Sequence, residues 1–288
     1  MNRRNFLITA AALPAVSPLA GAGRVCRMRF GFTTYQLGQP WDIPTIIANC
    51  RKARAYGVEL RTSQNYAHGV ELNLTKAQRR QVRLQFIDSP VMLVGLACGE
   101  RFDSPDSAAL RASIEKAKAY VKLSSDVGAT GLRVFPNNWH KDVPHEQTMA
   151  QIARSLTELG KFAQDYNQQI RLENHGSVGR LTTLATIMKQ VDAPNVRIKL
   201  NCDAKDAQGG DFAAAFRQVR PYLGDTLHMH DLSDKEFPYQ LQFDLLIDAG
   251  WDGWCLVERG GKVPDRLGAL LETRRLWDRY IERSLKRV

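Results

Sequence analysis

Ile170-Arg171-Leu172-Glu173-Asn174-His175-Gly176 places a carboxylate, an amide and an imidazole directly after a short apolar run and directly before a helical stretch. In an α/β fold the C-terminal ends of parallel strands share one rim, and chemistry gathers there. The same order recurs on both sides of this segment. Upstream, Met28–Thr34, Val58–Arg61, Val91–Cys98 and Leu132–Phe135 read as strands; downstream, Val196–Cys202, Leu227–His230 and Gly253–Glu258 do the same. Helical spacing fills the gaps: Asp42–Tyr56 with Ile43, Ile46, Ile47 and Cys50 on one face, Thr75–Ile87, and a long helix from Ser104-Pro105-Asp106 to Val127 with Pro105 at its first helical position. Pro144–Tyr166, Leu181–Val191, Asp211–Val219, Phe243–Ala249 and Pro264–Ser284 complete the series.

Eight strand-then-helix units without hairpin signals mean parallel strands joined by helical crossovers. The chain has 288 residues, 44% hydrophobic and 24% charged, enough for one large core. Eight units at this length predict a single (β/α)8 TIM barrel over residues 23–288. An open doubly wound sheet is the alternative, but no Gly-x-Gly-x-x-Gly turn follows the first strand.

The first 22 residues are of another kind. Asn2-Arg3-Arg4-Asn5-Phe6-Leu7 is a paired-arginine start; a moderately apolar run broken by Pro14 and Pro18 follows, and Ala20-Gly21-Ala22 closes it. This pattern reads as a twin-arginine signal peptide cut after Ala22, too short and too broken to remain as a membrane anchor. The expected address is bacterial periplasmic or secreted, with the twin-arginine export machinery as a partner. That route carries folded proteins, so a metal can be inserted before export. The five cysteines show no CxxC spacing and read as core residues. The net charge is +10, and +8 once Arg3 and Arg4 are removed. Such a balance permits an anionic partner, but Arg79, Arg80 and Arg83, like Arg274, Arg275 and Arg279, lie along helices and read as solvated faces.

Glu173, Asp203, His230 and Glu258 fall at or next to the ends of strands five to eight. Three carboxylates and an imidazole brought to one place repel unless a cation sits among them, so a divalent metal is expected. Three oxygen donors and one nitrogen favour Mn²⁺, Mg²⁺ or Co²⁺, with Zn²⁺ also compatible. Singly, each residue has a structural role open to it: a helix cap for Asp203, a core histidine for His230, a partner for Arg259 or Arg61 in the case of Glu258. Two residues further in lie Arg171, Lys199 and His228, with Glu59, Arg61 and Arg133 on strands two and four. Arg171, Lys199 and Glu59 read as an ion-paired layer; Arg61, Arg133 and His228 are candidates for contact with substrate oxygens. His68, His140 and His145 sit in loops near the mouth or in solvent, and His175 follows Glu173 closely enough to orient its loop or meet substrate. Trp41, Trp139, Trp251 and Trp254 offer faces for a sugar ring or for the core.

Taken with Gly57–Arg61 (GVELR), Leu172–Gly176 (LENHG), Asn201-Cys202-Asp203, His228-Met229-His230-Asp231 and Gly250–Glu258 (GWDGWCLVE), the chain resembles the xylose-isomerase-like TIM-barrel superfamily of sugar isomerases and epimerases. The resemblance implies Glu173, Asp203, His230 and Glu258 as metal ligands. Ketose epimerases of that superfamily often carry a substrate-binding histidine three residues after the strand-six aspartate; here Asp206 occupies the position. The expected activity is divalent-metal-dependent isomerisation or epimerisation of an unphosphorylated sugar or keto-sugar through a metal-stabilised enediolate, with Glu173 and Glu258 as base and acid. Expulsion of a β-leaving group from the same intermediate would make the chain a lyase or dehydratase on a keto-sugar or keto-glycoside. A non-catalytic carbohydrate- or partner-binding barrel is the remaining reading. An endonuclease acting at abasic sites needs more histidines at the ends of strands two and three than the chain offers, so no nucleic-acid partner is expected.

Overall fold

The computed structural model describes residues 24–207 and 211–287. The signal peptide read in residues 1–22 lies outside them. Eight strands, β1 (Arg29–Thr33), β2 (Gly57–Arg61), β3 (Met92–Arg101), β4 (Gly131–Phe135), β5 (Gln169–Glu173), β6 (Val196–Lys199), β7 (Thr226–Met229) and β8 (Trp254–Val257), alternate with α1 (Ile43–Ala53), α2 (Lys76–Ile87), α3 (Ser107–Asp126), α4 (His145–Gln164), α5 (Leu181–Met188), α6 (Phe212–Val219), α7 (Tyr239–Asp248) and α8 (Arg266–Lys286). All named strand pairs are parallel, in the order β6-β5-β4-β3-β2-β1-β8-β7. The remaining gap, between β6 and β7, is closed by His228 N–H donating to Leu200 O (2.7 Å), Gly224 N–H donating to Ile198 O (2.8 Å) and an isolated bridge between Ile198 and Leu223. The single (β/α)8 barrel is therefore present, nearly closed by backbone bonds.

Local chemistry explains the helix starts. Asp42 caps α1 through Thr45 N, Thr75 and Gln78 form a reciprocal capping box at α2, and Asp106 accepts from Ala108 N and Ala109 N at α3. This last cap corrects the sequence expectation for α3: Pro105 stands outside the helix, because the Asp106 carboxylate satisfies two free amides one residue later. The apolar faces of the helices pack on the outer faces of the strands in one continuous core.

Inside the barrel the side chains are largely charged. Lys199 Nζ donates to Glu59 Oε2 (2.6 Å), both groups having no exposed surface. Arg171 does not join that pair. Its guanidinium reaches Val94 O (2.6 Å), Thr130 Oγ1 (2.9 Å) and Asp225 (3.0 Å). Space for it comes from Gly95, where a Cβ would lie 2.4 Å from Arg171 Nη1. Four of the five cysteines are buried and all five are free.

Candidate active site

The ends of β5 to β8 converge on a cavity of about 610 Å³ lined by Glu173, Asp203, His230 and Glu258 together with Arg61 and His175. Its floor is two buried carboxylates held from below. His228, fully buried, donates from Nε2 to Glu59 Oε1 (2.7 Å); its Nδ1 lies 3.2 Å from Glu173 Oε2 and 3.3 Å from Glu258 Oε2. Burial opposes charge on this ring, but Glu258, Glu173 and Glu59 outweigh it and push His228 up to about 10. Fully buried between Glu59 on one side and Glu173 and Glu258 on the other, His228 supports the two glutamates from beneath.

Arg133 flanks Glu173, with Nε 3.2 Å from Oε2, and its guanidinium also stacks 4.0 Å over Phe135. Glu258 meets Arg61 Nη1 at 3.5 Å and His230 Nε2 at 3.4 Å. Burial alone would raise both carboxyls. Instead Arg133 and His228 hold Glu173 below its ordinary value, and His228, His230 and Arg133 hold Glu258 well below it. Both are therefore ionised at neutral pH.

His230 Nε2 faces Asn201 Oδ1 at 2.9 Å. Asp203 lines the cavity but its Oδ2 is 2.8 Å from Lys205 Nζ, while Oδ1 accepts from Lys205 N (3.1 Å). Glu173 Oε2 and His228 Nδ1 are buried without a well-aligned hydrogen bond. A buried carboxylate oxygen whose neighbouring nitrogens are not aligned for a hydrogen bond, beside a second carboxylate and a half-exposed imidazole, is a donor set that fits a divalent cation. The tightest grouping of potential ligand atoms among the described residues is Glu173, His228 and Glu258, within 4.8 Å of one another. His230 and Asp203 stand further out on the cavity wall, and Asp203 would have to leave Lys205 to complete the set.

Four residues expected at substrate are placed elsewhere, and the expectation is corrected for each. His68 is buried, with its ring between Arg61 O (3.0 Å) and Val70 N (3.0 Å), so it shapes the loop after β2. Arg133 and His228 are sealed below the floor by their ion pairs. Asp206 accepts from Asn174 Nδ2 (2.8 Å) and Leu181 N (3.2 Å), tying the β5 and β6 loops together from behind the cavity. Asn174 completes the tie by accepting from Asn201 N at 2.6 Å. Arg61 and His175 do reach the cavity; His175 stacks on Phe135 (4.3 Å between centroids) and pairs with Asn137 Oδ1 (3.0 Å). None of the four named tryptophans lines it. The aromatic surface comes from Tyr35 and Phe135, and the rim is completed by Asp231, Arg259 and Lys262. Sequence reasoning gave these no role at substrate. Tyr35 has a signal in retrospect, since it stands just past the end of β1, the same strand-end position that brought Glu173, Asp203, His230 and Glu258 to notice.

Burial pushes Asp206 up to about 6 from its ordinary 3.8. A carboxyl raised in the folded state binds its proton more tightly there than in the unfolded chain. Its contribution to stability is complete below the unfolded value and is lost as pH rises through about 6. Between pH 4 and pH 8, urea unfolding of Asp206→Asn relative to the parent should move by about 2 kcal/mol in favour of the variant. A difference that stays constant over that range would show a carboxyl ionised throughout.

The family described as xylose isomerase-like TIM barrel matches residues 47–280. No curated protein matches the chain. Among solved structures, L-ribulose 3-epimerase superposes with a TM-score of 0.74 at 13% identity, covering 89% of this chain and 95% of its own. The 3-keto-D-glucoside 4-epimerase from E. coli gives 0.70 at 14% identity, covering 88% and 99%. The IOLI protein with a bound zinc atom gives 0.70 at 17%, covering 90% and 98%. At these identities the likeness shows the fold.

Proposed function

The chain belongs to the xylose isomerase-like TIM barrel family, and on that premise we propose that it is a divalent-metal-dependent isomerase or epimerase of an unphosphorylated sugar or keto-sugar. The observation that carries this reading is the pair Glu173 and Glu258, two ionised carboxylates from different strands that reach the same cavity floor. Glu173, Glu258, His230 and Asp203 would hold the ion. A divalent cation there would polarise a substrate carbonyl and its neighbouring hydroxyl, making the adjacent C–H bond more acidic.

The chain's own residues do the rest. One glutamate takes the proton from the carbon next to the carbonyl; the other, once it has taken up a proton from solvent, delivers it from its own side of the cavity, which inverts that centre, or the first hands the same proton on, which isomerises. Arg133, His228 and Arg61 keep both carboxylates charged between turnovers. Tyr35, part-exposed at the cavity wall, supplies aromatic surface for a sugar ring. The preference for an unphosphorylated substrate follows from the proposed export of the chain, since sugar phosphates are cytoplasmic metabolites.

Incubation with metal in D₂O and a panel of ketoses, 3-keto-glycosides and sugar phosphates, read by NMR, tests the proposal. Deuterium is expected at the carbon next to the carbonyl of a ketose or keto-glycoside. Exchange in sugar phosphates alone would overturn the substrate assignment. Loss of a β-substituent would make the enzyme a lyase, and no exchange anywhere with the ion bound would leave a binding barrel.

A further inference from the structure

The described surface exposes seven large apolar residues, and four of them, Tyr56 (43% exposed), Leu84 (39%), Ile87 (63%) and Met92 (44%), gather at one lower edge of the barrel. Met92 N–H donates to Tyr56 O (2.7 Å), which places Met92, the first residue of β3, beside Tyr56, the residue before β2. Leu84 and Ile87 belong to the last turn of α2. At 100° per residue, Lys76, Arg80, Arg83, Leu84 and Ile87 occupy a single arc about 100° wide, and all five are exposed. Val82 and Phe86 point the opposite way, into the core. The arc holds three cations and no acid. Arg79, just outside it, is paired with Asp126 (2.9 Å); among the described residues Lys76, Arg80 and Arg83 form no ion pair. Beside Ile87 opens an apolar crevice of about 320 Å³ walled by Phe86, Val91 and Val127, with Arg83 at its lip.

A solvated helix face does not need Leu84 and Ile87 between its cations. We propose that this face of α2, with Met92 and Tyr56, is a peripheral docking surface for an anionic phospholipid bilayer. Lys76, Arg80 and Arg83 meet the headgroups, Leu84 and Ile87 enter the acyl boundary, and the crevice accepts the apolar end of a lipid beneath Arg83. A second copy docking through the same face would set three unpaired cations against three. A convex helix flanked by exposed apolar side chains suits a deformable surface better than a rigid acidic protein. The cavity at the opposite ends of the strands stays open to solvent in this orientation.

Co-sedimentation of the full chain with vesicles of phosphatidylglycerol and phosphatidylcholine (1:1), against phosphatidylcholine alone, is the test. All forms share residues 1–23, so the difference between forms reports on α2. Lys76→Gln/Arg80→Gln/Arg83→Gln should lower the partition coefficient on the order of 100-fold, at about fivefold per cation. Leu84→Ser/Ile87→Ser should weaken binding while keeping its salt dependence. Deuterium exchange into substrate should be unchanged in both. Equal binding by all three forms, or none to the anionic vesicles, overturns the proposal. A concentration-dependent dimer dispersed by Leu84→Ser/Ile87→Ser, with no vesicle binding, would assign the face to self-association; capture of an acidic peptide in place of vesicles would assign it to a protein partner.

Discussion

Glu258→Gln and Glu173→Gln are each expected to lower turnover about 10³-fold, the middle of the range for losing a positioned acid or base. The amide keeps the shape of the side chain and its contact with His228 but cannot accept a proton. If Glu173 removes the substrate proton and Glu258 returns it, the two variants differ in kind: Glu258→Gln retains wash-in of deuterium at the carbon that Glu173 attacks, whereas Glu173→Gln loses exchange and product together. If one glutamate shuttles the proton alone, only one variant is severely impaired. Metal content measured on the same samples separates a lost base from a lost ligand, because a variant without ion reports on binding. Near-normal turnover in either variant with the ion in place would sink its role in proton transfer.

The second large effect concerns stability. Lys199 and Glu59 are a contact pair with no exposed surface, and Glu59 also takes the Nε2–H of His228. Burial lowers the Lys199 ammonium while Glu59 resists that, and Glu59 itself is held well below its ordinary value by Lys199 and His228 despite its own burial. Lys199→Met leaves that carboxylate without its shortest partner. The expected cost is about 3–5 kcal/mol in urea unfolding, the range for a buried charge stripped of its counterion. Glu59→Leu/Lys199→Met should recover part of it, since neither charge then remains to be solvated. A single variant as stable as the parent would mean that water reaches Glu59.

The barrel was legible because its signals are local. Alternating apolar runs, caps such as Asp42 and Thr75, and glycines such as Gly57 and Gly128 each depend on a few neighbours in sequence. The cavity residues Glu173, Asp203, His230 and Glu258 were legible for a related reason: a strand end has a fixed position on the rim, so order along the chain becomes position around a circle. What lies inside the barrel was harder. Glu59 and His228 are 169 residues apart in sequence and 2.7 Å apart in space, and inward parity alone could not say whether His228 faces substrate or stands beneath it. Asp206 misled for the opposite reason. Its place in a motif suggested a ligand contact, whereas its oxygens are taken by Asn174 and the first amide of α5. Lys262 comes from a loop with no periodicity to read.

One consequence follows from the gap between β6 and β7. Every other neighbouring pair of strands shares a ladder of paired residues, with register shifts in β2–β3 and β3–β4, while this one is latched by two amides and a bridge. Local opening there breaks the fewest bonds, so the amides of His228 and Gly224 should exchange with solvent earlier than those of β4 or β5. The strands on either side lead to Asp203 and His230. Breathing at this joint therefore loosens one wall of the cavity, and Glu59, which holds Lys199 of β6 and His228 of β7 from across the barrel, limits how far it opens: a barrel built like a clasped bracelet, with its working face beside the clasp.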